Sequence, residues 1–154
     1  EVEVVMKIAN RNNGDAGVLM KPEGSVKIVV LNGSRQIDQV VPGAGKDGEP
    51  GWVTMKVQPE AGLPKGIHQL SDATNPAKNV HPQTYGGQVL HVDQKHVYQF
   101  GPKGIVQHDR KLFEKEPVVG KCYEVSYSRG VGKVKAELSQ EEGAKLQAKK
   151  AHTL

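Results

Sequence analysis

The alternation of apolar and polar positions divides this chain into short segments, most with the two-residue period of strands. "EVEVVMKI" (1–8) alternates acidic and apolar residues and predicts a half-buried strand, with "NNGDAG" (12–17) as a turn. "SVKIVVL" (25–31) and "RQIDQVV" (35–41) flank "NGS" (32–34). Asn32-Gly33 there predicts a tight hairpin with both residues at positive φ. "PGAGKDGEPG" (42–51) has no apolar residue but Ala44 and is expected to be a mobile loop or an internal boundary. "WVTMKVQ" (52–58) resumes the alternation, with Trp52, Thr54, Lys56 and Gln58 on one side and Val53, Met55 and Val57 on the other.

After a second break at "PEAGLPKG" (59–66) and an irregular, proline-interrupted stretch at 71–83, the rhythm becomes regular. "YGGQVLHVD" (85–93), "HVYQF" (96–100) and "GIVQH" (104–108) predict a three-stranded meander. Asp109 is placed to cap one helical turn in "DRKLFEKEP" (109–117), and Pro117 to stop it. "GKCYEVSYS" (120–128) and "KVKAEL" (133–138) supply two more strands across "RGVG". Five short strands with one helical turn before the fourth have the size of a small SH3-like or OB-like antiparallel barrel. In "SQEEGAKLQAKKAHTL" (139–154), Ser139 and Glu142 form a capping box that predicts a short C-terminal helix, which Gly143 weakens. The expected organisation is therefore mainly β: a β-rich region over 1–63, the small barrel over 64–138 and a helical tail over 139–154.

Composition narrows the class. Glycine (18) and proline (9) are scattered between apolar runs, which favours many turns over a low-complexity linker. No apolar run approaches the roughly 20 residues that span a bilayer, and "EVEVVMKIAN" (1–10) lacks a basic stretch before its apolar residues, so it is not expected to be a signal peptide. The chain begins without Met and is expected to be a processed or truncated piece. A single cysteine, Cys122, excludes an internal disulfide and fits a reducing compartment. The charge is uneven: residues 1–80 balance nine Lys/Arg with nine Asp/Glu, so residues 81–154, with twelve against eight, carry the whole +4. A basic half permits attraction to nucleic-acid phosphates.

Three chemistries compete for the polar residues. His91, His96, Asp93 and His108 could assemble a metal site, but no spacing matches a known ligand signature, and neither a metal nor another cofactor is expected. Cys122, expected on the wetter side of its strand with Glu124 and Ser126, has no activating base, so cysteine catalysis is not expected. "RGVGKVK" (129–135) lacks the Ser or Thr and the helix of a phosphate-binding loop. The third candidate is a basic surface. Arg110 and Lys111 open the helical turn, while Arg129, Lys133 and Lys135 lie on or beside the last hairpin. Tyr98 or Tyr127 could stack on an unpaired base, although Tyr127 shares its face with Val125, which favours the core.

Several short pieces of residues 64–136 carry a resemblance: Tyr85-x-Gly87, His91-Val92-Asp93, Val97-Tyr98-Gln99, Gly104, His108-Asp109-Arg110, Leu112, Pro117, Gly120-Lys121, Val125-x-Tyr127 and Gly132-Lys133. This pattern resembles the KfrB domain family of bacterial plasmids and conjugative elements. The resemblance implies a non-enzymatic accessory domain acting in the bacterial cytoplasm in transfer or maintenance. It would bind DNA, single-stranded among the options, or a partner such as a relaxase or plasmid-maintenance protein. The phosphate contacts would be Arg110, Lys111, Arg129, Lys133 and Lys135, with His108 and Tyr98 nearby. A protein-docking module without nucleic acid, using strand edges or the N-terminal half, is the alternative.

Overall fold

A computed structural model describes residues 21–79 and 81–152, with side chains as far as Gln147. The strand expected at 1–8 and the turn at 12–17 lie outside the described residues. The described chain forms two compact units, one of residues 21–60 and 64–71, the other of 61–63 and 72–152.

The first unit is a four-stranded antiparallel sheet of order β3-β2-β1-β4: β1 Val26–Val30, β2 Ser34–Val41, β3 Gly51–Pro59 and β4 Gly66–Gln69. The β1–β2 hairpin forms where "NGS" places it, but of its two turn residues only Gly33 has positive φ (81°). The Gly/Pro run 42–51 lies inside the first unit rather than at a boundary. It joins β2 to β3 through a 3₁₀ turn at Lys46–Gly48, tied by Gly45 N–H to Glu49 O (2.6 Å). Ile28, Val30 and Val40 are buried. On β3 the register shifts opposite Ile37/Asp38, leaving Met55 as the extra residue, so the simple two-sided alternation fails there. Val57 then joins a cross-strand row, Ile67–Val29–Gln36–Val57, whose outer members are 63% and 60% exposed. β4, placed by the sequence beyond residue 63 and so with the C-terminal unit, pairs with β1 of this sheet.

The second unit packs two three-stranded antiparallel sheets face to face. The meander expected at 85–108 appears as β6 Val89–Val92, β7 His96–Gly101 and β8 Gly104–Asp109. The other sheet has the order β10-β9-β5, from β5 Gln83–Tyr85, β9 Cys122–Ser128 and β10 Val131–Leu138. Tyr85, Val125 and Tyr127 face Val89, Val97 and Val106, and Phe113 closes the cluster. Burying each such aliphatic side chain stabilises the fold by about 1.5–3 kcal/mol. A bridge at Gln88–Cys122 joins the sheets at one corner. A second bridge, Thr74–Val106, lies along β8; among the described residues no further bridge links the two sheets, so they do not close into the expected barrel.

A 3₁₀ turn, Arg110–Leu112, follows β8, and Asp109 caps it by accepting from Lys111 N–H (2.9 Å). It ends well before Pro117. Helix α1, Gln140–His152, starts with the expected capping box: Glu142 N–H donates to Ser139 Oγ (3.1 Å) and Ser139 N–H to Glu142 Oε1 (3.0 Å). Gly143, which looks like a weakness in sequence, is where the helix docks. A methyl there would fall 2.4 Å from Gly86 O and 2.8 Å from Cys122 Sγ. Cys122 is accordingly buried at 3% exposure rather than on a wet face, and burial pushes its thiol pKa up. Among the described residues, no helix is long and apolar enough to cross a membrane.

Candidate nucleic-acid interface

The β9–β10 hairpin turns on Arg129-Gly130, both at positive φ (52° and 79°), between the paired residues Ser128 and Val131. This is the two-residue turn whose twist matches a hairpin. Holding a non-glycine residue in the left-handed region costs roughly 1–2 kcal/mol. The sequence bears that cost and sets a guanidinium at the tip. From the tip, Lys133 stands in the cross-strand row Thr84–Ser126–Lys133, where the two hydroxyls lie 3.1 Å apart. Lys135 is the extra residue of a bulge between Val134 and Ala136.

Arg110 and Lys111 reach the same hairpin through Gly132. A methyl on Gly132 would lie 2.7 Å from the Tyr127 ring and 2.8 Å from Leu112 Cδ1, so the bare backbone lets the Arg110–Leu112 turn pack against β10. The turn is fixed further by Arg110 N–H to Lys95 O (2.9 Å) and by Arg110 Nη1 to Phe113 O (3.1 Å). Lys111, Arg129, Lys133 and Lys135 are exposed. Among the described residues none of the four enters an ion pair, whereas Lys121 pairs with Glu137 (3.3 Å) and Lys145 with Glu141 (3.5 Å).

His108 and Tyr98, grouped with these cations by the sequence, are buried at 1% and 8% exposure. His108 belongs to a polar chain through the core. Both Gln99 amide hydrogens are donated, to Gly87 O and to Tyr123 O, each at 2.8 Å. Gln99 Oε1 is therefore the acceptor for His108 Nε2–H (2.7 Å), which leaves Nδ1 to accept from the Tyr127 hydroxyl (2.6 Å). Burial lowers the His108 pKa to about 4 and raises that of Tyr127. The chain stitches the facing sheets together, and His108 presents no polar atom to a partner. Tyr98 lies between His91 and His96, with ring centroids 6.1 Å from each.

The three histidines do not converge. His91 pairs with Tyr98, His96 with Asp109, and His108 with Val97. Among the described residues no group of three or more His, Cys, Asp or Glu side chains is placed to hold a metal ion.

Two clefts open on this unit. One, about 490 Å³, lies between β5 and the β7–β8 turn, lined by residues including Thr74, Thr84, Lys103 and Ile105. The other, about 380 Å³, is bounded by Asn75, His96, Gln107, Asp109, Leu112, Tyr127 and Gly130–Gly132. Sequence reasoning missed the second because its walls come from four separated segments. The one local signal was Asn75-Pro76, an N-cap with proline at the first position of a 3₁₀ turn.

Comparison with known proteins gives two matches. Residues 84–136 match the KfrB domain family. Over 146 residues the chain is 60% identical to Protein TraB of Escherichia coli, covering 95% of each chain.

Proposed function

This chain belongs to the KfrB-domain family, and from that premise we propose that it is a non-enzymatic accessory protein of a plasmid or conjugative element, binding DNA in the bacterial cytoplasm during transfer or maintenance. The observation that supports this reading is the exposed cationic set Lys111, Arg129, Lys133 and Lys135, in no ion pair among the described residues and joined by Arg110, on one hairpin and the turn packed against it. Phosphate contacts need clustered cations that are not already neutralised by carboxylates. His108 supports this face from beneath through its bond to Tyr127 on β9, while Tyr98 packs between His91 and His96 on strands that carry none of the cations.

Binding of a short single-stranded oligonucleotide should weaken as salt rises, because each neutralised phosphate releases counterions. Reversing two charges, Lys133→Glu with Lys135→Glu, should flatten the plot of log affinity against log salt by at least about 1.4, from about 0.7 per phosphate on a single strand. Unchanged affinity and slope would remove the proposal.

A second reading has its own observation. Val57 and Ile67, the ends of one cross-strand row of the first unit's sheet, expose apolar surface at 60% and 63% exposure. Apolar residues grouped in this way fit a protein-docking face, for DNA-processing machinery such as a relaxase. The two readings are compatible, since they use different sheets.

A further inference from the structure

The 380 Å³ cleft beside the basic hairpin has the position and chemistry of a binding site. Four cations of the proposed face are chain neighbours of its walls, and Lys135 lies three residues beyond Gly132. Arg110 and Lys111 lie between the lining residues Asp109 and Leu112, Arg129 precedes Gly130, and Lys133 follows Gly132. A strand whose phosphates met Lys111 and Arg129 would run beside the cleft.

The lining is polar and largely uncommitted. Gln107 uses its backbone N–H, bonded to Thr74 O (2.8 Å), to fix its strand, and among the described residues its side-chain amide is not engaged. Asn75 spends Oδ1 on Ala77 N–H (3.0 Å) and keeps its amide hydrogens. Asp109 spends Oδ1 on its cap, leaving the second oxygen to accept. The His96 ring, 36% exposed, adds a group that both donates and accepts, 4.0 Å from Asp93. Leu112 and Val131 supply apolar wall, and the Tyr127 ring lies beneath with its hydroxyl already bonded to His108. Amide, carboxylate and imidazole groups around an apolar slot are what the edge and face of a planar heterocycle need. A phosphate fits poorly, because Asp109 would repel it.

We infer that this cleft receives a single unstacked nucleobase of the bound strand, read by His96, Gln107 and Asp109 while the hairpin cations hold the flanking phosphates. The inference rests on the DNA-binding reading and adds a base-dependent component to it. It requires an unpaired strand, because a base inside a duplex cannot enter.

The test compares two fluorescent oligonucleotides of equal length and charge, one with normal bases and one with abasic sugars throughout, binding to the full chain and to a His96→Ala/Gln107→Ala variant. The base-bearing strand should bind wild type about tenfold tighter than the abasic strand. The double variant should lose most of that difference while keeping the salt slope. Should it melt early, Gln107→Ala alone, which removes no side-chain hydrogen bond among the described residues, should shift the ratio in the same direction. Equal binding of both strands to wild type would overturn the base site and leave DNA binding intact. Binding of neither strand would overturn both readings. A ratio that survives in both variants would place the base elsewhere and overturn this assignment.

Discussion

At the residue scale, His108 is held as a neutral core group between Gln99 and Tyr127. An unfolded chain protonates this histidine near its ordinary 6.5, whereas the folded protein resists until about 4. The stability it contributes is therefore complete above pH 6.5 and is lost as pH falls toward 4. Between pH 7 and pH 5 that loss is about 2 kcal/mol, at 1.36 kcal/mol per pKa unit. Urea unfolding at the two pH values checks it, and equal midpoints would contradict it. Tyr127→Phe removes the hydroxyl and leaves Nδ1 buried without a donor, which should cost about 1–3 kcal/mol. Unchanged stability would break the assignment of that network. In sequence, His108 looked like a ligand because its residue type is chemically versatile and strand alternation does not say which face is inner. Only the pairing of Val97 with His108 and Gln99 with Val106 sets it inside. The cations Lys111, Arg129, Lys133 and Lys135 were legible as exposed because nothing in a small apolar core can hold them.

At the element scale, local signals placed the strands well and their irregularities poorly. The meander, the capped turn after β8 and the capping box of α1 follow from alternation and side-chain caps, which are local physics. The bulges at Leu90, Met55 and Lys135 are not local, because each is set by the partner strand. The two-residue positive-φ turn formed at Arg129-Gly130 rather than at Asn32-Gly33, where the dipeptide signal was stronger. Gly143 gives the sharpest test of local against tertiary control. Alanine is favoured over glycine in a helix by about 1 kcal/mol, yet here its methyl would meet Gly86 O and Cys122 Sγ. Gly143→Ala should therefore lower the melting temperature and make the Cys122 thiol react faster with a disulfide reagent. A stabilised variant with a still-protected thiol would show that the helix does not depend on this contact.

For the whole molecule, the sequence conveyed a mainly β chain with a basic C-terminal half, and the family resemblance pointed to the segment that matches. Part of the resemblance lies in the scaffold: Tyr85, Gly87, His108, Val125 and Tyr127 are all buried, in the unit built of two sheets. Function on this reading lies in the exposed side chains that the scaffold carries. The sheet of the first unit offers apolar rather than cationic surface, so Val57→Glu with Ile67→Glu should leave oligonucleotide affinity within about twofold, since surface changes away from a site have small effects. A larger loss would bring that sheet into the DNA site. The most direct test of the central claim is a backbone amide NMR titration of the full chain with a short single-stranded oligonucleotide. Shifts should concentrate at Asp109–Leu112 and Ser128–Lys135, with smaller ones at Asn75, His96 and Gln107. Shifts confined to β3 and β4, or none at saturating DNA, would contradict it.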